Sequence, residues 1–238
     1  MKILIGTSGY SYNEWKGKFY PEKISGADMM AFYSKRLETV EINNTFYRMP
    51  TPHVVASWAE QVPAGFVFAI KAPQIITHIK RLKDVKEETR FFLKTVAGLG
   101  KKLGCALFQF PGSFREDPAL LGNFLGLIPE KTPCAFDFRS ASWMNPRTLE
   151  LLRQKKFCLC QEDTDENPVE EIASAASWGY LRMRRADYSD ADLSQWSKKL
   201  SSMNWKKTFV FFKHEDDIGA RGPELALRFR ELMRDAAV

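Results

Sequence analysis

The sequence predicts a single (β/α)8 TIM-like barrel spanning residues 1–238. Three observations predict it. Eight short apolar, β-rich runs recur along the chain, at residues 3–7, 39–43, 66–71, 105–110, 134–139, 157–161, 179–184 and 208–213. Several lack polar alternation, as strands covered on both faces do. Stretches of helical periodicity separate them, the pattern of a parallel sheet with crossover helices. The length of 238 residues is close to the ~250 typical of one such barrel. A doubly wound open sheet is the alternative. The count of eight, with no Gly-rich dinucleotide fingerprint, favours the barrel.

The helices follow in order. Met30, Tyr33 and Leu37 fall on one helical face. Residues 84–103 form a long helix candidate carrying Phe92, Val96 and Leu99. Asp117-Pro118 and Asn145-Pro146 each read as an N-cap followed by proline at the first helical position. A short helix is expected near residues 166–175, between strands six and seven. Leu193, Trp196 and Leu200 share a face, as do Leu225, Phe229, Leu232 and Met233.

Composition narrows the function classes. The chain carries 35 Lys+Arg against 29 Asp+Glu, a net charge of +6. This favours anionic partners, an anionic small molecule or nucleic acid, although a solvated basic surface has the same signature. The four cysteines, Cys105, Cys134, Cys158 and Cys160, form no CxxC pair. Cys158 and Cys160 sit two apart and share one face of a strand. Buried reduced thiols in a cytoplasmic protein are expected. With three histidines, a zinc cluster is poorly supported. The apolar stretch after Met1 is too short for a signal peptide, and no window approaches the roughly 20 apolar residues of a membrane span. No membrane partner is expected, and nothing in the chain specifies an oligomeric state.

Barrel active sites lie at the C-terminal ends of the strands. Glu41 and Asn43 stand on strand two, Lys71 ends strand three and Gln109 lies on strand four. Asp137 and Arg139 lie on strand five, Glu162 and Asp163 follow strand six, and Arg182 and Arg184 lie on strand seven. Strand eight ends in Lys213-His214-Glu215. Residues two apart in a strand point the same way, which pairs Asp137 with Arg139, Glu41 with Asn43, and Arg182 with Arg184. Charges embedded in a strand need partners. They read either as ion pairs inside the barrel mouth or, taken together, as a ligand site. Lys71, Arg139 and Arg184 suit a phosphate or carboxylate. Glu41, Asp137 or Asp163 suits a general base, or the oxygen ligand set of a divalent metal. His214 suits a proton shuttle near neutral pH.

Aromatic residues crowd two loops. Residues 8–25 carry Tyr10, Tyr12, Trp15, Phe19 and Tyr20, and residues 43–52 carry Phe46, Tyr47 and Arg48. Tyr47 and Trp143, close to their strand ends, are the candidates to stack on a planar ligand. Trp15, Phe19 and Phe46 fit better as loop cores. Residues 75–83 hold His78, Lys80, Arg81 and Lys83, a basic loop either solvated or in contact with an anionic polymer. Gly6-Thr7-Ser8-Gly9-Tyr10 lacks the spacing of a nucleophile elbow. No nucleotide cofactor motif, Walker A sequence or HExxH occurs.

The same motifs carry a resemblance. Ile5-Gly6-Thr7-Ser8-Gly9-Tyr10-Ser11-Tyr12 with Trp15, Gly17 and Phe19-Tyr20-Pro21 opens the series. Thr39-Val40-Glu41-Ile42-Asn43-Asn44-Thr45-Phe46-Tyr47-Arg48, then Phe68-Ala69-Ile70-Lys71 with Ile76-Thr77-His78, continue it. Phe108-Gln109-Phe110-Pro111, Phe136-Asp137-Phe138-Arg139 with Ser142-Trp143, and Tyr180-Leu181-Arg182-Met183-Arg184 complete it. In this order they resemble the YecE-like family, domain of unknown function 72. The resemblance implies a TIM-like barrel of about this length and no established reaction. Departures from the family pattern are Asp137 in place of the usual Glu, Lys213-His214-Glu215-Asp216 in place of an Asn-rich turn, and Arg184-Arg185 in place of a His-Gly pair.

An enzyme acting on a phosphorylated or otherwise anionic substrate at the mouth is the first expectation, as a phosphoester hydrolase or an acid/base catalyst. The alternatives are a non-catalytic nucleic-acid-binding protein and a small-molecule sensor. Fold alone does not decide among them.

Overall fold

The structure, a computed structural model, describes residues 1–213 and 219–235. Eight strands, β1 (Lys2–Ser8), β2 (Thr39–Ile42), β3 (Val67–Lys71), β4 (Leu103–Phe110), β5 (Cys134–Phe138), β6 (Cys158–Asp163), β7 (Trp178–Met183) and β8 (Lys207–Phe212), pair in parallel and in chain order. The β8–β1 pairing, with Leu4 opposite Phe209 and Gly6 opposite Phe211, closes the barrel. Around it lie α1 (Met29–Ser34), α2 (Pro52–Glu60), α3 (Lys86–Ala97), α4 (Pro118–Gly126), α5 (Pro146–Gln154), α6 (Asp190–Ser201) and α7 (Arg221–Asp235). This is a (β/α)8 TIM-like barrel with one crossover lacking its helix.

The helix expected near residues 166–175 is absent. Residues 164–177 are irregular, and α6 follows β7 instead. Pro168 removes a helical donor. The next amide, Val169 N, donates to Asp163 Oδ1 at 2.8 Å rather than to a backbone carbonyl. The long helix expected over residues 84–103 is shorter, Lys86–Ala97, because Asp84 (φ 50) and Gly100 (φ 55) take left-handed backbone at its two sides. Both Asx-Pro caps form. Asp117 Oδ1 accepts from Leu120 N at 2.9 Å and Asn145 Oδ1 from Thr148 N at 3.0 Å.

Strand alternation divides the core in two. Phe68, Phe108, Phe136, Leu159, Met183 and Phe212 point outward and pack under the helices. Leu4, Ala69, Cys105, Leu107, Ala135, Cys158, Cys160, Tyr180, Phe209 and Phe211 fill the interior. The barrel wall is tight at β1, where a Cβ on Gly6 would run into Thr39 O. All four cysteines are buried and unpaired, and burial pushes the Cys158 and Cys160 thiols well above their usual range. Among the described residues, no helix is long and apolar enough to cross a membrane.

Candidate active site

The inward positions change character toward the strands' C-terminal ends. Ala69, Leu107, Ala135, Cys160 and Tyr180 give way, two residues on and on the same face, to Lys71, Gln109, Asp137, Glu162 and Arg182. Register sets the polar residues side by side. Gln109 lies opposite Asp137, and Glu162 opposite Arg182.

Arg182 is the hub. Its side chain is 1% exposed. Nε donates to Glu41 Oε2 at 3.1 Å and Nη2 to Glu41 Oε1 at 3.0 Å, a bidentate pair. Nη1 reaches Asp137 Oδ2 at 3.0 Å and Glu162 Oε1 at 3.1 Å. Tyr180 Oη donates to Glu41 Oε2 at 2.6 Å, Asn43 Nδ2 to Glu41 Oε1 at 2.9 Å, and Gln109 Nε2 to Asp137 Oδ2 at 2.9 Å. Burial alone would raise the Glu41 carboxyl. The Arg182 and Arg184 charges and the hydrogen bonds from Arg182 and Tyr180 override it and hold Glu41 well below the carboxylate range. Burial works against the Arg182 cation too, but Glu41, Asp137 and Glu162 keep it charged.

Glu162 differs from Glu41. Its side chain is 18% exposed. Oε1 also meets Arg184 Nε at 2.9 Å and Arg139 Nη2 at 3.7 Å. Burial and the neighbouring Asp137 carboxylate push the Glu162 carboxyl up, against the pull of the three guanidiniums. It lines a cavity of about 680 Å³ together with Asp137, Arg139, Arg184 and Lys213, walled by residues of the irregular β6–β7 segment.

Across the mouth, Lys71 Nζ lies 4.2 Å from the centre of the Phe46 ring, and His78 stacks edge-on to the same ring at 4.7 Å. Burial, then the Arg182 charge, lowers the Lys71 amine to about 8. Burial, with Lys71 and Arg139, lowers His78 to about 4, so its ring is neutral at pH 7. Ser8 Oγ and Asn43 Oδ1 are buried with no protein hydrogen-bond partner among the described residues. Ser8 lies opposite Glu41 in register.

The expected site residues therefore separate into groups. Glu41, Asn43, Lys71, Gln109, Asp137, Arg139, Arg182 and Arg184 come together at the mouth. Within that group Glu41 and Arg182, read as a catalytic and a ligand residue, are consumed by each other and by their neighbours. Asp163 turns away from the interior, because β6 alternates and Cys158, Cys160 and Glu162 occupy the inward face. Its carboxylate ties down the β6–β7 segment by accepting from Val169 N, Arg185 Nη2 (3.0 Å) and Tyr188 Oη (2.8 Å). Trp143 does not reach the mouth. It is fully buried on the outer face, stacked on Phe138 at 4.6 Å, with Nε1 donating to Phe114 O at 2.8 Å. Tyr47 is 78% exposed on the rim. His214 lies outside the described residues.

Glu162, Tyr180 and His78 belong at this mouth and were not among the candidate site residues. Extending the Cys158/Cys160 face by two residues finds Glu162. Among the described residues no cluster of three or more His, Cys, Asp or Glu is arranged to hold a metal ion. The cation that Glu41, Asp137 and Glu162 share is a guanidinium.

Residues 4–238 match the family described as "Protein of unknown function DUF72". The UPF0759 protein YunF of Bacillus subtilis is 26% identical over 231 residues, covering 89% of this chain and 78% of that protein. The UPF0759 protein YecE of Escherichia coli is 32% identical over 129 residues, covering 53% of this chain and 44% of its own length. A solved DUF72 family protein from Thermotoga maritima superposes with a TM-score of 0.86 at 26% identity, over 98% of this chain and all of that one. A second, from Enterococcus faecalis, has a TM-score of 0.82 at 22% identity over 98% of this chain and 95% of its own, a likeness of fold.

Proposed function

The chain belongs to the DUF72 family of proteins of unknown function, and within it we propose an enzyme that binds a phosphorylated or other anionic substrate at the barrel mouth. One observation carries this reading. Arg139, Arg184 and Lys213 converge on a cavity of about 680 Å³ that Asp137 and Glu162, both held by Arg182, and Asp165 and Glu166 of the β6–β7 segment also line. Two guanidiniums and an amine on one partly desolvated cavity give an anion charge-assisted donors. Arg139 and Arg184 are the planar donors suited to phosphate or carboxylate. Glu162, partly exposed and with its carboxyl pushed up, is the group suited to proton transfer. Glu41, Asp137 and Arg182 form the rigid floor that positions it. Phosphoester hydrolysis and proton abstraction both fit this arrangement.

The test is calorimetric titration with inorganic phosphate and with small phosphate monoesters. Arg139→Ala with Arg184→Ala is expected to weaken binding about tenfold or more, as charge-assisted hydrogen bonds are lost. Unchanged binding of every anion tried removes the reading. Glu162→Gln is expected to retain binding and lose turnover. A second reading, nucleic-acid binding without chemistry, is favoured by exposed Tyr47 beside exposed Arg48. It requires salt-sensitive affinity for single strands that Tyr47→Ala reduces.

A further inference from the structure

Lys71 has no part in the network around Arg182. It ends β3, and its inward direction follows from its parity with Ala69 in the barrel interior. Its backbone is fixed, since Thr45 Oγ1 donates to Lys71 O at 2.6 Å and Ala72 N to Leu107 O at 2.8 Å. Among the described residues it makes no ion pair. The nearby carboxylates of Glu41 and Asp137 are turned to Arg182 at 3.0 Å. The amine sits over the Phe46 ring, itself packed edge-on by His78, where burial and the Arg182 and Arg184 charges lower it against the pull of Glu41 and Asp137. Partial burial without an ion pair, in the field of fixed guanidiniums, holds an amine toward its neutral, nucleophilic form, and here it outweighs the ring contact and the two carboxylates that favour the ammonium. The lowering of Lys71 to about 8 agrees with this placement.

We propose that Lys71 is a covalent nucleophile that forms an imine with an aldehyde or ketone bearing a phosphate or carboxylate group, the anionic group being held by Arg139 and Arg184. This rests on the anion-binding reading above and names its substrate class. The neutral Nζ adds to the carbonyl carbon, forming a C–N bond while the C=O π pair moves to oxygen. One proton passes from the nitrogen to that oxygen, giving the carbinolamine, and its hydroxyl takes up a second proton, the one the Lys71 ammonium had released, and leaves as water with its bonding pair. The nitrogen lone pair closes the C=N bond, leaving a protonated imine. One water is released, no electrons are exchanged, and the charge of the original ammonium is retained. Such an imine is an electron sink for proton abstraction or C–C cleavage next to the carbonyl carbon.

The experiment is reductive trapping. The protein is incubated at pH 8 with pyruvate, with dihydroxyacetone phosphate and with acetone, each followed by sodium borohydride, and the modified lysine is located by peptide mass spectrometry. An ordinary lysine ionises near 10.4, so at pH 8 Lys71 has roughly a hundredfold larger neutral fraction. Lys71 is therefore expected to carry the label on the order of tenfold or more above other lysines. Lys71→Arg should abolish labelling. Arg139→Ala with Arg184→Ala, in protein that keeps its circular dichroism spectrum, should reduce trapping by the two anionic carbonyls and spare that by acetone. Label spread evenly over surface lysines, or absent from Lys71, overturns the proposal. Equal trapping of acetone and the anionic carbonyls overturns its substrate class. Phosphate binding to the wild type separates the two readings. Binding without trapping defeats the nucleophile alone, and absence of both defeats the anion site with it.

Discussion

The two ends of the barrel interior are made by the same strands and respond to change in different ways. Toward the N-terminal ends, Leu4, Cys105, Ala135, Cys158 and Phe209 pack by shape. Toward the C-terminal ends, Glu41, Asp137, Glu162 and Arg182 are joined by directed hydrogen bonds through one guanidinium. Loss of packing is graded with volume. Loss of a buried cation leaves its partners charged and unpaired.

The largest effect expected from this contrast is at the hub. Arg182→Met should destabilise the protein by about 3–5 kcal/mol in urea or guanidinium unfolding, because Glu41 and Asp137 are left buried without a cation. Adding Glu41→Gln and Asp137→Asn to that variant should recover much of the loss, and failure to recover would show that packing rather than charge dominates there. At the apolar end, Gly6→Ala should cost about 1–3 kcal/mol by forcing β1 away from Thr39 O, with no recovery from charge changes.

Acid sharpens the comparison further. Glu41 stays ionised in the folded protein to lower pH than in the unfolded chain, so the unfolded chain binds more protons between the two values. The stability Glu41 contributes is complete above roughly pH 4.3 and lost as pH falls below it. Glu41→Gln should be less stable at pH 7 and show a flatter acid limb, measured by unfolding midpoints from pH 7 to 3. The smallest effect has the opposite sign. Lys71 is lowered to about 8, so the folded protein releases its proton first and wild-type stability gains between pH 8 and the unfolded value near 10.4. Lys71→Met should be more stable at pH 7 by about 0.5–1 kcal/mol and lack that alkaline gain, because it removes a partly desolvated, unpaired charge.

Much of this barrel is legible in the sequence. Eight apolar runs marked eight strands because a parallel sheet buried on both faces suppresses alternation. The Asx-Pro caps at Asp117 and Asn145 were equally plain, being local chemistry. The β6–β7 crossover is not legible, because its segment is organised by a side chain, Asp163, rather than by its own periodicity. The mouth was legible as a composition and not as a wiring diagram. Two-residue spacing placed Asp137 with Arg139 on one face, yet the strong pairs join residues 141 and 45 positions apart. Strand parity from Cys158 and Cys160 selects Glu162 for the interior and turns Asp163 outward. Trp143 stands near its strand end in sequence, but the outward rings of Phe138 and Phe114 draw it over the barrel wall.

The single guanidinium at the centre of the mouth also limits how this site can change over time. Glu41, Asp137 and Glu162 each draw on the same cation, so a substitution at any one alters the field on the other two, and their effects are not additive. A step that removes Arg182 first passes through a protein with stranded buried acids. A step that removes an acid first leaves the cation under-compensated. Descendants of this sequence that rebuild the mouth must change acid and base together, which makes this patch one inherited unit rather than four independent positions.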